Sequence, residues 1–352
     1  MQINGIQFLR FVAVFLVLGS HAVLEMWRRL GNDGSYHFWH EYGGSGVDLF
    51  FVISGFVITI STVKAAGSGG AAAAWLFCKR RIIRIVPMYW FYTGVKVALI
   101  LALGSKAFAG GLAPGFVIGS LLFWPTTNPA GYHLPVLESG WTLSYEMLFY
   151  ASFALAIWRR WPPLRFSLVA LGAIFVLGQI DGSPLFLNFF ARTLLFEFLL
   201  GGLIARLWVR QAPVPALLAP ALLALALLML FVLPLPAGTD RLISVGLPCA
   251  LLVASAVWLE RHPWISRAAA HFKLLGDASY SVYLSHGLVI PPIALVLIKL
   301  GVQDRLVVFC ATVFGALAVG CVLYLWLEKP VTDRLNRRFS PAKAPKPAAT
   351  AA

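Results

Sequence analysis

Ten stretches of this chain, near residues 5–25, 46–63, 82–103, 141–158, 165–181, 187–207, 215–233, 241–259, 277–298 and 305–327, are apolar over about the length needed to cross a bilayer. A hydrocarbon core of ~30 Å takes ~20 residues of helix, and inside it a helix satisfies every backbone polar group without water. With 60% of the residues hydrophobic and 12% charged, the chain has about half the charge of an ordinary soluble domain and cannot cover a water-facing surface. The expected fold is an all-α integral membrane protein of about ten transmembrane helices. The apolar run 112–124 is only thirteen residues long, too short to cross, and reads as a re-entrant or interfacial segment. Cys78, Cys249, Cys310 and Cys321 show no CxxC or Cys/His spacing, so neither a disulfide framework nor a metal centre is expected.

The net charge of +14 would suggest nucleic acid in a soluble protein. Here its distribution matters more. With the N-terminus inside, 20 of the 28 Lys and Arg residues fall on the cytoplasmic side, as the positive-inside rule requires. Both termini are then cytoplasmic. Residues 1–330 form the membrane domain, and the Pro/Ala/Lys-rich stretch 331–352 is expected to be a disordered cytoplasmic tail. A cleaved signal peptide is the competing reading of the first run, from Arg10 and Ser20-His21-Ala22. It would discard the best polar pair in the chain.

That pair is Arg10 and His21. Eleven residues apart, they lie within about 20° of the same helical face and ~16 Å apart along the axis. Ionisable groups inside a span are costly and mark functional sites by default. The plainer reading is a snorkelling Arg and a hydrogen-bonded His. In the second run, Asp48 enters from the outer side at a depth similar to His21, where it could orient the imidazole or simply cap its own helix. Ser54 and Gly55 read as packing residues. Lys79, Arg80, Arg81 and Arg84 precede the third run; Arg81 and Arg84 share a face and could grip a multiply phosphorylated ligand, although such clusters also serve topology and lipid contact. Glu146 lies about two turns into the fourth run with no cation at i±3 or i±4, so it is protonated, water-lined or paired with another helix, with His21 the first candidate partner. Glu197 could pair with Arg192. The ninth run, from Asp277 to His286, is dense in hydroxyls and suits the lining of a wet cavity.

Taken together, Arg10 with His21, the run Gly46-Val-Asp48 to Phe56, Arg81-Ile-Ile-Arg84 with Ile-Val-Pro-Met-Tyr-Trp, Trp141-Thr-Leu-Ser-Tyr-Glu146, and Tyr280-Ser-Val-Tyr283-Leu-Ser285-His286 resemble the acyltransferase 3 family. The match is to its bacterial branch that O-acetylates exopolysaccharides and lipopolysaccharides, and it spans about residues 3–330. The resemblance implies a multi-pass protein of the bacterial inner membrane. It implies an acyl-coenzyme A donor, usually acetyl-CoA, presented from the cytoplasm, and as acceptor a hydroxyl of a surface or secreted polysaccharide or its lipid-linked precursor.

In that setting Arg81, Arg84, Arg80 and Lys79 would hold the donor's phosphates. Its pantetheine arm would run along the Arg10/His21 face. His21 would act as general base or as transient acyl carrier, with Asp48 or Glu146 stabilising its imidazolium. Trp141, Tyr145, Tyr283, Ser285 and His286 would contact substrate. Members with a fused extracytoplasmic esterase-like domain exist; here the membrane domain is expected to handle the acceptor itself. A transporter or flippase for a glycan precursor or acyl donor is the competing function, against which the two halves show no internal repeat. A non-catalytic subunit of a polysaccharide assembly complex leaves Glu146 and His21 without a task.

Overall fold

A computed structural model of the chain describes residues 3–63, 69–104, 112–128, 130–211, 215–232 and 238–339. In chain order the helices are α1 (Asn4–Leu30), α2 (His37–Tyr42), α3 (Ser45–Val63), α4 (Ala71–Leu103), α5 (Pro114–Leu121), α6 (Gly140–Trp158), α7 (Pro163–Gly178), α8 (Leu185–Phe190), α9 (Leu195–Val209), α10 (Leu218–Phe231), α11 (Leu247–Leu259), α12 (Pro263–Ala270), α13 (Lys273–Lys299), α14 (Arg305–Leu323) and α15 (Lys329–Phe339). π-helical turns Leu242–Gly246 and Tyr324–Glu328 lead into α11 and α15. No strand occurs among the described residues. By length and composition, six helical stretches among them are long and apolar enough to cross a membrane: Asn4–Leu30, His37–Thr62, Ala71–Leu103, Leu242–Leu259, Lys273–Lys299 and Arg305–Phe339. Pro163–Gly178 and Leu218–Phe231 are apolar but shorter.

Small residues set how closely the helices pack. A β-carbon added at Gly55 of α3 would lie 1.9 Å from the Phe198 carbonyl oxygen of α9, and one at Gly201 of α9 would lie 1.9 Å from the Val52 carbonyl oxygen of α3. The two backbones therefore touch through reciprocal glycines, the membrane device for close approach without a hydrophobic driving force. Beside this seam Phe51, Phe198 and Phe149 stack at centroid distances of 4.5 and 4.7 Å and fill the centre of the bundle.

Helix α1 starts without a cap of its own, and a remote residue supplies one. Glu260, after α11, accepts from the Asn4 amide (3.0 Å), the Gly5 amide (2.8 Å) and the Ser266 hydroxyl (2.8 Å), placing a carboxylate at the positive end of the helix. At its other end Arg305 binds the Leu30 and Gly31 carbonyls, both at 3.0 Å, and Asp33 at 2.9 Å. The Ser35 hydroxyl, the Ser35 amide and Arg305 hold the exposed Asp33 carboxyl below its usual range.

Two sequence expectations are altered. The run 187–207 is broken between α8 and α9, where Gln179 Nε2 donates to the Ala191 carbonyl at 3.1 Å. Hydropathy misses the break because Phe189 and Phe190 keep it apolar by packing on Tyr145. The expected disorder from 331 onward gives way to helix as far as Phe339. The Lys79 ammonium donates to the Phe339 carbonyl and sits 5.2 Å over its ring, complementing the negative end of α15; positions 340–352 lie outside the described residues. The short run 112–124 holds the eight-residue α5, and its terminal carbonyls are taken by Tyr89 and Trp90 of α4, which donate to Ser120 and Leu121 at 2.9 Å.

Candidate active site

A cavity of about 440 Å³ opens between α1, α3, α4, α6 and α13. Arg10, Arg81 and Arg84 line it together with Glu146, so three guanidinium groups and one carboxylate from three helices face a single void. The expected convergence of Arg10 with the Arg81/Arg84 pair is thus present. Arg81 is the most engaged of the three. It donates to the Ser61 hydroxyl at 3.0 Å, lies 5.7 and 5.8 Å over the rings of Phe77 and Tyr150, and keeps its buried Nε without a partner. Arg84 is exposed to the cavity, and Arg10 makes a long contact of 3.4 Å to Gln7.

Glu146 finds its partners in hydroxyls. Ser54 of α3 donates to its Oε1 at 2.7 Å, and the Tyr150 phenol donates to the same oxygen. Tyr150 is one helical turn beyond Glu146, at the i+4 position. A search for cations passes over a phenol, and a packing role for Ser54 passes over its hydroxyl. Ser54 donates to a carboxylate while its neighbour Gly55 does the packing.

His21 lies outside this cavity. Its exposed ring sits 4.5 Å from that of the buried His286, and no hydrogen bond or ion pair among the described residues joins it to Asp48 or Glu146. The expected carboxylate partner is therefore replaced by a second imidazole. His286 Nδ1 donates to the Tyr283 carbonyl at 2.5 Å; a carbonyl only accepts, so in a neutral ring Nε2 is the bare acceptor. The Tyr283 ring, which lines the cavity, is 5.7 Å from that of His286. Its hydroxyl donates to the Ser139 carbonyl at 3.3 Å and meets Thr142 at 3.0 Å. Tyr283 and His286 thus form the bridge of side chains between the guanidinium cavity and His21.

Asp48 is fully buried and belongs to another partner. Arg241 grips it through two bonds, Nε to Oδ1 at 2.9 Å and Nη2 to Oδ2 at 2.6 Å, and also reaches the Gly44 carbonyl at 3.2 Å. This fork-on-carboxylate geometry engages both oxygens with Arg241, and no hydrogen bond among the described residues joins them to His21. The signal was available, since Arg241 and Asp48 both belong to span ends assigned to the outer side. Glu197 is buried beside the same pair with neither oxygen hydrogen-bonded, and not against Arg192.

Of the expected substrate contacts, Tyr283 lines the cavity, His286 stands behind it, and Trp141 packs edge-on against Tyr145 at 5.8 Å. Tyr145 and Ser285 are buried with their hydroxyls donating to the backbone carbonyls of Phe189 and Val282. Both hydroxyls are thus engaged with the backbone. Lys79 is engaged with α15 as described, and Arg80 lies outside the main cavity.

The described geometry agrees with what the chain is similar to. Residues 3–325 match the acyltransferase domain model of the acyltransferase 3 family. The chain is 33% identical over 319 residues to the exopolysaccharide production protein ExoZ of Rhizobium meliloti (strain 1021), covering 86% of this chain and 93% of that protein. It is 27% identical to nodulation protein 10 of Rhizobium leguminosarum bv. viciae, over 96% and 97% of the two chains. It is 29% identical over 192 residues to the O-acetyltransferase OatA of Staphylococcus aureus (strain NCTC 8325 / PS 47), covering 48% of this chain and 31% of that protein. No solved structure matches the chain. A helical membrane-protein composition, Arg10, Arg81, Arg84 and Glu146 drawn around one cavity, and a domain match over nearly the whole length lead to one conclusion: the chain belongs to the acyltransferase 3 family and is an acyltransferase.

Proposed function

We propose that the protein moves an acetyl group from cytoplasmic acetyl-CoA to a hydroxyl of a surface or secreted polysaccharide, or of its lipid-linked precursor, across a bacterial inner membrane. The observation that carries this reading is the convergence of Arg10, Arg81 and Arg84 on one cavity. A donor rich in phosphate is the ligand that such a site suits. The similarity to ExoZ and OatA supports a polysaccharide as acceptor. Ten crossings with both termini cytoplasmic complete the proposal, with α5 as a re-entrant or interfacial segment. In its support, Arg80, Arg81, Arg160 and Arg206, assigned to one side by charge, surround one cavity, while Asp48 meets Arg241 at the opposite side.

Arg81 and Arg84 hold the donor's phosphates, and the thioester reaches outward past Arg10 toward Tyr283. The acceptor oxygen attacks the thioester carbonyl as His21 takes its proton. The carbon–sulfur bond breaks, the thiolate leaves and is protonated, and the sugar ester remains. In the carrier form His21 itself attacks, coenzyme A leaves as the thiol, and the acyl-imidazole then passes its acyl group to the sugar. An acyl-histidine adduct formed with donor alone selects the second form. In either form the imidazole is oriented by the His286 ring, because Asp48 and Glu146 are committed elsewhere. The acetyl-ester content of the cell's polysaccharide, measured by NMR in parent and deletion strains, tests the function. Loss of ester in the deletion is expected; unchanged ester content contradicts it.

A further inference from the structure

A second cavity, of about 590 Å³, adjoins the first and shares Ser61 and Arg81 with it. Four arginines line it: Arg80 and Arg81 from α4, Arg160 just after α6, and Arg206 from α9. No Asp or Glu lines it, and among the described residues none of the four takes part in an ion pair. Such a concentration of unneutralised guanidinium groups attracts an anion. The buried Thr59 hydroxyl and the buried Arg81 Nε also line it without hydrogen-bond partners.

The backbone at Arg160 is a separate observation. Helix α6 ends in a Schellman closure, with the Trp161 amide donating to Ala156 at 2.8 Å and the Arg160 amide to Ile157 at 3.1 Å. The residue at its left-handed position is Arg160, with φ of 59°, where glycine is the usual occupant. Gly69 makes room for its side chain: a β-carbon there would come within 2.9 Å of Arg160 Cγ. An arginine where glycine is easier, with Gly69 clearing its path, points to work done by its side chain.

Resting on the donor proposed above, we infer that this second cavity binds the phosphorylated nucleotide end of the acyl donor, through Arg160 and Arg206 with Arg80 and the shared Arg81. Trp161 adds an aromatic ring to its wall. The donor then spans both cavities, with Arg81 at the junction and the thioester in the first.

The test is binding of coenzyme A to the full chain in nanodiscs of neutral lipid. Arg160→Gly relieves the backbone, so its thermal midpoint should equal or exceed that of the parent while its Kd for coenzyme A rises about tenfold or more, the loss expected of one charge-assisted contact. Arg206→Gln should weaken binding similarly, and both variants should discriminate less than the parent between coenzyme A and 3′-dephospho-coenzyme A. Parent-like affinity in both variants overturns the inference and leaves the donor reading standing. Absence of coenzyme A binding by the parent overturns the donor reading and this inference with it. Adding anionic phosphatidylglycerol separates the sources of phosphate: a cavity that binds this lipid through Arg160 and Arg206, with coenzyme A affinity independent of both, is a lipid site and also overturns the inference.

Discussion

Asp48 is tolerated in the protein interior because one guanidinium meets both of its oxygens. Removing one partner of such a pair strands the other charge, a loss of about 3–5 kcal/mol, whereas removing both can be nearly neutral. Arg241→Ala should therefore lower the thermal midpoint of the detergent-purified protein substantially, and Asp48→Asn added to it should recover most of that loss. Equal losses in the single and double variants would contradict the pairing. Arg10, Asp48, Glu146 and the Arg81/Arg84 pair all stood out in the sequence because charge is scarce there. Their partners did not stand out. Tyr150 is an ordinary residue of an apolar run, Ser54 reads as packing and His286 as a substrate contact, and only the packing of separate helices shows that a phenol, a hydroxyl and an imidazole stand where cations and carboxylates were expected.

The seam between α3 and α9 belongs to the next scale, because the two helices approach within the reach of a single methyl group. Gly55→Val forces the backbones apart, at a cost of about 1–3 kcal/mol or more for an overpacked contact. It should also pull Ser54 from Glu146, so both the thermal midpoint and donor turnover should fall; a fully stable, fully active Gly55→Val protein would show that the seam is not a constraint. Hydropathy located the helical stretches well because each needs only its own residues to declare itself. It ran through one break and stopped short of one helix end. The break before α9 is hidden by the aromatic residues Phe189 and Phe190, and the helix as far as Phe339 depends on contacts from Lys79, far away in the chain.

For the whole molecule, arginines that the charge pattern assigns to one side cluster in space around one cavity, as the proposed sidedness requires. A C-terminal green fluorescent protein fusion should fluoresce and an alkaline phosphatase fusion at the same point should be inactive; the reverse would contradict cytoplasmic termini. The two cavities then describe a path that starts among arginines, narrows at Arg81 and ends at Tyr283, behind which the His286 and His21 rings stand. The path itself could not be read from the sequence, since its walls come from α1, α3, α4, α6, α7, α9 and α13. Acetyl transfer along it is tested most directly in inside-out membrane vesicles supplied with acetyl-CoA labelled in the acetyl group. With the parent protein, label should accumulate in alkali-labile ester on polysaccharide, and His21→Ala, inserted at the same level, should reduce it by at least about a hundredfold. Labelling undiminished by His21→Ala, or none with the parent, would contradict the proposal.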